Sequence, residues 1–189
     1  MRRSIFLFAC LCSLLLSACN DSENEYTIGA CLVIIDNSVH QDPTLASAMN
    51  INAPGVFCTI TKGLENGANK FFFSNNVGQH SSVALNALDS RRTLILGYNE
   101  GIIVGFGNLD YPARFVAYDR ECPNCFDPQG IPIRSHPLSV SGNGMATCGT
   151  CKRQYNLNNN GFVASGDNGK RLTRYRAQTT GTYGVLSVN

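Results

Sequence analysis

The sequence predicts an all-β domain, an antiparallel sandwich or small barrel. Three observations carry this: apolar runs of only three to eight residues, their regular spacing along the chain, and the Gly- and Asn-rich turns between them. With 189 residues, 43% hydrophobic and 15% charged positions, 18 Gly and no Trp, the composition excludes a collagen, a coiled coil or a disordered chain. It accommodates one domain with a short appendage.

The appendage comes first. Arg2 and Arg3 precede an apolar run from Ile5 to Leu16, too short for the roughly 20 apolar residues that span a bilayer, and small residues follow. Residues 1–18 therefore read as a signal peptide, and Leu16-Ser17-Ala18-Cys19 resembles a bacterial lipobox. That resemblance implies Cys19 as the acylated first residue of a mature protein anchored in the outer membrane of the cell envelope, facing the periplasm or the surface. Residues 19–25, with Asp21, Glu23 and Glu25 and no apolar side chain before Tyr26, read as an acidic tether, and such patches resemble export signals of some surface lipoproteins. Residues 26–189 form the single domain.

Cleavage after residue 18 leaves 171 residues and removes two of the 15 basic side chains, so 13 remain against 13 acidic ones. A neutral domain has no basic field to attract nucleic acid, and the expected partner is the membrane through the lipid. Cys10 and Cys12 leave with the signal. Cys31, Cys58, Cys122, Cys125, Cys148 and Cys151 remain in a compartment where disulfides persist.

Within the domain, Ile28 to Ile35 reads as a strand, and Asp42-Pro43 as the N-cap and first position of a short helix closed by Pro54-Gly55. Val56 to Thr61 and Lys70 to Ser74 are strands. Ala84, Ala87, Leu88 and Arg91 stand at helical spacing, which predicts a second short helix over 82–91. Thr93 to Leu96 and Ile102 to Phe106 flank Tyr98-Asn99-Glu100-Gly101, the pattern of a hairpin. Arg114 to Arg120 is a strand, Ser139 to Thr147 a hairpin on Gly142-Asn143-Gly144. Short strands at Gln154 to Leu157, Phe162 to Ser165, Leu172 to Ala177 and Tyr183 to Val188 complete the domain.

The chemistry lies in Cys122-Pro123-Asn124-Cys125 and Cys148-Gly149-Thr150-Cys151, two C-x2-C knuckles separated by the 22 residues 126–147. Each knuckle turns two thiolates toward one point, and two knuckles complete a tetrahedral four-sulfur shell for zinc or iron. The separation slightly exceeds the roughly 15 to 20 residues of a zinc ribbon. Pro128, Gly130, Pro132 and Pro137 shape a loop with little to bury, so a metal would supply its order; structural zinc contributes on the order of 10 kcal/mol, one disulfide about 2 to 4. Two disulfides or four free thiols are the alternatives. A thioredoxin-like dithiol is set aside, because two prolines and a glycine after Cys125 cannot extend the helix that such chemistry needs.

Ala146-Thr147-Cys148-Gly149-Thr150-Cys151, Tyr155-Asn156-Leu157, Asn160-Gly161, Gly166 and Leu172-Thr173-Arg174-Tyr175 together resemble the second half of a Rieske domain, and Phe115 to Pro123 resembles the strand entering its first loop. The likeness spans about residues 102–177. It matches Cys122 and Cys148 to the two Rieske cysteines, while Cys151 stands where the second histidine belongs and the first histidine is absent. What the resemblance implies is a Rieske-like fold with a knuckle region over about 119–155. Losing both histidines removes what raises a Rieske potential. Zinc is then preferred, with a rubredoxin-like iron or an all-cysteine [2Fe-2S] cluster as alternatives. Lys152 and Arg153 could offset the net charge of a four-thiolate site, and a solvated loop accounts for them equally well.

Among the remaining residues, His40, His80 and His136 are scattered, and only His136 lies between the knuckles. Arg174 and Arg176 flank Tyr175 as a solvated face. Cys31 and Cys58 are left over as a candidate disulfide. No nucleophile, phosphate-loop or metalloprotease motif occurs, so a structural or interaction role is expected before an enzyme, with electron transfer and a disulfide-stapled, metal-free binding domain as the other readings.

Overall fold

Asn66-Gly67 closes the longest hairpin, with both residues at positive φ (54° and 77°), the conformation that matches the twist of two paired strands. In the computed structural model, which describes residues 25–189, β1 (Val33–Asp36) comes first in the chain and this turn joins β2 (Phe57–Glu65) to β3 (Ala68–Asn75). Both strands extend beyond their apolar stretches, because backbone pairing continues to the turn at Glu65↔Ala68. β4 (His80–Ala84) pairs β3, β5 (Gly101–Phe106) pairs the other side of β2, and β6 (Phe115–Asp119) pairs β5. With β11 (Arg174–Tyr175) at its edge, this antiparallel sheet runs β11-β6-β5-β2-β3-β4.

Two smaller sheets cover its faces. β1 (Val33–Asp36), β13 (Val185–Val188) and β12 (Ala177–Thr179) form one in the order β1-β13-β12. β10 (Phe162–Ser165), β9 (Gln154–Asn156), β8 (Met145–Cys148) and β7 (Leu138–Val140) form the other, in that order. Every pairing is antiparallel, so the all-β, antiparallel expectation holds. β5 shows why its sequence is a continuous apolar run: Ile102 and Val104 enter one core with Val33, Ile35, Phe71 and Leu186, while Ile103 enters a second with Phe57, Tyr118, Ala146 and Tyr155.

The helices are small. α1 (Asn37–His40) and α2 (Pro43–Ala48) follow β1, and Asp42 caps α2 as expected, its carboxylate accepting from Leu45 N at 2.8 Å. Three other expectations need correction. Residues 82–91 are not a helix: Ser82 and Val83 pair with Phe72 and Phe71 in β4, and only a 3-10 turn, Asp89–Arg91, remains. Joining a sheet edge outweighs a weak helical period there. Residues 93–96 do not pair with β5, both of whose edges are taken by β2 and β6; Ile95 instead exchanges two backbone hydrogen bonds with Leu32. The run Leu172 to Ala177 divides at Arg176, with β11 joining the large sheet and β12 the three-stranded one.

Residues 1–18, Cys19 and the tether as far as Glu23 and Asn24 lie outside the described residues. The tether's last residue is docked, since Glu25 Oε1 accepts from Arg174 Nη1 at 2.5 Å. Arg174 is accordingly buried, not a solvated face residue.

Candidate metal centre

The two knuckles meet because β7 leans on both. Past β6, Glu121 bridges to Pro137, Cys122 N donates to the His136 carbonyl at 3.0 Å, and Leu138 N donates to the Arg120 carbonyl at 2.8 Å. The long loop thus returns beside its own start. It then runs directly into β7, where Leu138 pairs with Cys148. Buried Glu121 holds this return, its carboxylate accepting from Ser135 Oγ at 2.6 Å, Asn99 Nδ2 at 2.8 Å and the His136 N–H.

Each knuckle is a tight turn. Cys125 N and Phe126 N both donate to the Cys122 carbonyl, at 3.1 and 2.8 Å. In the second, Lys152 N donates to the Cys148 carbonyl at 3.1 Å, with Lys152 itself at φ 61°, and Cys148 N closes on the Arg153 carbonyl at 3.0 Å. Both prolines and the glycine after Cys125 do keep the chain out of a helix.

The four sulfurs converge. All lie within 4.8 Å of one another, and two of the separations between knuckles are Cys122 to Cys151 at 3.7 Å and Cys125 to Cys148 at 3.9 Å. A tetrahedron with metal–sulfur bonds of about 2.3 Å has edges of roughly 3.8 Å, so the two short separations fit it and the widest is looser. These distances far exceed the ~2.05 Å of a disulfide. Cys122 and Cys148 are fully buried in the second core, whereas Cys125 and Cys151 are half-buried at its margin.

Charge is distributed unevenly over the cluster. Burial pushes the Cys122 thiol up, against a hydrogen bond from the Tyr155 hydroxyl at 3.2 Å. Burial and the neighbouring sulfurs push Cys125 up as well. At Cys151 burial also opposes ionisation, but the backbone N–H and guanidinium of Arg153 outweigh it and bring the thiol down to about 6. Arg153 is thus the member of the basic pair that faces a sulfur; Lys152 Nζ donates to the Gly149 carbonyl at 2.5 Å.

Tyr155 and Asn124 are the functional residues that motif reading left without a role. Asn124 Nδ2 donates to the Tyr155 oxygen at 2.9 Å and to the Lys170 carbonyl at 2.8 Å, while Asn124 Oδ1 accepts from Lys170 N at 2.9 Å. The aromatic at the start of Tyr155-Asn156-Leu157 and the asparagine inside the first knuckle were the available signals.

His136 joins the loops through Thr150 Oγ1 at 2.9 Å and lies outside the four-cysteine group. His40 pairs with Asp89 at 2.9 Å, far along the chain from the cluster. Cys31 and Cys58 are separate buried thiols, which corrects the expected disulfide. The reason is local: Cys31 meets Gly97 and Asp119, whereas Cys58 Sγ points to the Thr59 carbonyl at 3.5 Å.

No family model matches the chain, and comparison with curated proteins and with solved structures gives no match either.

Proposed function

We propose that this chain is a lipid-anchored, Rieske-like protein of the bacterial cell envelope that binds one zinc ion through Cys122, Cys125, Cys148 and Cys151. The ion holds two loops together as a tip for interaction with a partner. The observation that carries this reading is the mutual approach of the four sulfurs to within 4.8 Å. A two-iron cluster divides its cysteines between two metals and so favours two separated pairs, whereas one ion draws all four together. Four thiolates also fill a tetrahedral shell, leaving no open position for a substrate, as in structural zinc sites. A dication with four thiolates carries a net charge of minus two, and Arg153 beside Cys151 offsets part of it.

Electron transfer through a rubredoxin-like iron is the second reading. It is favoured by the half-buried position of Cys125 and Cys151, which brings one edge of the cluster toward the surface, and by the hydrogen bond from Tyr155 to a ligand sulfur.

Metal analysis and an absorption spectrum of protein purified without oxygen from its native host decide between them. One zinc and no visible chromophore supports the structural role; a coloured centre bleached by dithionite supports electron transfer; reacting thiols without metal, or bridged cysteines, oppose both. Mass spectrometry of the mature N-terminus tests the anchor, and an unmodified terminus elsewhere than Cys19 rules it out.

A further inference from the structure

On the face of the large sheet that carries the second core, the four-stranded sheet covers only part. Thr59 pairs with Ser74 and Ser74 with His80, while Thr61 pairs with Phe72, so these side chains share that face. They line an open cleft of about 410 Å³, closed on its far side by residues 138–139 of β7. That size falls within the roughly 300 to 1,000 Å³ of small-ligand pockets.

Arg120 enters the same cleft without a partner. Its Nε is buried and makes no hydrogen bond, and among the described residues no side chain pairs with its guanidinium. Gly101 beneath it leaves the room: a Cβ at that position would lie 2.7 Å from Arg120 Cδ and 3.0 Å from its Cβ. The stem is therefore laid across bare backbone, which aims a permanent planar cation into a hollow lined by hydroxyls. With Nε shut off from water, the unpaired terminal nitrogens of the guanidinium are the donors left for the cleft.

We propose that this cleft binds the carboxylate of a small hydroxylated organic acid, with the Arg120 guanidinium as its fork. A planar carboxylate matches two parallel N–H donors. One fixed cation suits a singly charged group better than a phosphate dianion. The hydroxyls of Thr59, Thr61 and Ser74 face the rest of the molecule, with the Phe72 ring as a partial apolar wall. The site lies outside the cysteine cluster and requires no metal.

Titration of the full-length protein in detergent with sodium glucuronate tests this, followed by calorimetry and by the Arg120 Nε–H resonance. Saturable heat with a shift of that resonance is expected, and R120Q should bind on the order of tenfold to a hundredfold more weakly. G101A keeps the charge, displaces the arginine stem and should also weaken binding, which serves if R120Q does not fold. No saturable shift, or the same shift from sodium chloride at equal ionic strength, overturns the site. Inorganic phosphate binding as tightly as glucuronate overturns its assignment to a carboxylate.

Discussion

The hydroxyl of Tyr155 lies 3.2 Å from Cys122 Sγ, and Asn124 Nδ2, 2.9 Å away, donates to the same hydroxyl oxygen. Since the asparagine occupies a lone pair of that oxygen, the phenolic proton is directed at the sulfur. Such a bond orients the sulfur and stabilises its ionised form, the one that can bind a metal, against protonation.

Tyr155→Phe should therefore weaken metal retention by about tenfold to a hundredfold, the range for outer partners of metal ligands. Chelator competition measures this. Unchanged retention would mean that the hydroxyl only packs. In iron-loaded protein the same change should lower the reduction potential, because the ligand sulfur loses a donor that stabilises the reduced, more negative centre.

Cys148→Ser should loosen the region 120–157 and leave β2, β3 and β5 folded. Cys122 and Cys148 belong to the second core, and none of the four knuckle cysteines belongs to the first, which lies between the large sheet and β1, β13 and α2. Hydrogen exchange should show lost protection in β7, β8 and β9 with retained protection in the hairpin of β2 and β3. Loss throughout the domain would show that the ion supports both cores.

Thiol titration should divide the six domain cysteines into two classes. Burial pushes Cys31 up to about 12 and pushes Cys58 up as well, which suppresses the thiolates that react. With metal bound none should label rapidly. After chelation Cys151, brought down to about 6, should react first and the other knuckle thiols only as the freed loops open, while Cys31 and Cys58 should wait for unfolding; labelling of either in folded protein contradicts their placement.

Stability should fall as pH rises through the titration of Asp119. Burial raises the pKa of this carboxyl, against hydrogen bonds from Tyr175 Oη at 2.6 Å, Tyr98 N at 2.8 Å and Glu121 N at 2.7 Å. A folded pKa above the unfolded value of about 3.9 makes its contribution complete below that value and lost as pH climbs through the folded one. Tyr175→Phe removes a donor to the ionised form, so it should cost about 1 to 3 kcal/mol at neutral pH and less in acid. Urea denaturation of both proteins across that range checks it, and a pH-independent difference would assign the loss to packing alone.

Much of the fold was legible locally. The Asp42 cap, the Gly142-Asn143-Gly144 hairpin and the strands around Val56 to Thr61 and Phe115 to Asp119 depend on neighbours in sequence, and they form where those neighbours predict. The local pattern of residues 82–91 and 93–96 does not decide their structure, because partners distant in sequence do: β3 captures Ser82, and Leu32 captures Ile95.

The sequence by itself determined that four cysteines stand as two knuckles, since a C-x2-C turn places its two thiols together whatever surrounds it. It also determined that the strands would be short and antiparallel, through its turn residues. Only the tertiary structure decided that the knuckles converge, because that requires β7 to return beside Glu121 and pair with β8 at Cys148. Only the tertiary structure, too, set Tyr155 and Arg153 against knuckle sulfurs and left Arg120 unpartnered over Gly101. Burial and hydrogen-bond partnership belong to surfaces brought together from distant parts of the chain, and no local spacing encodes them.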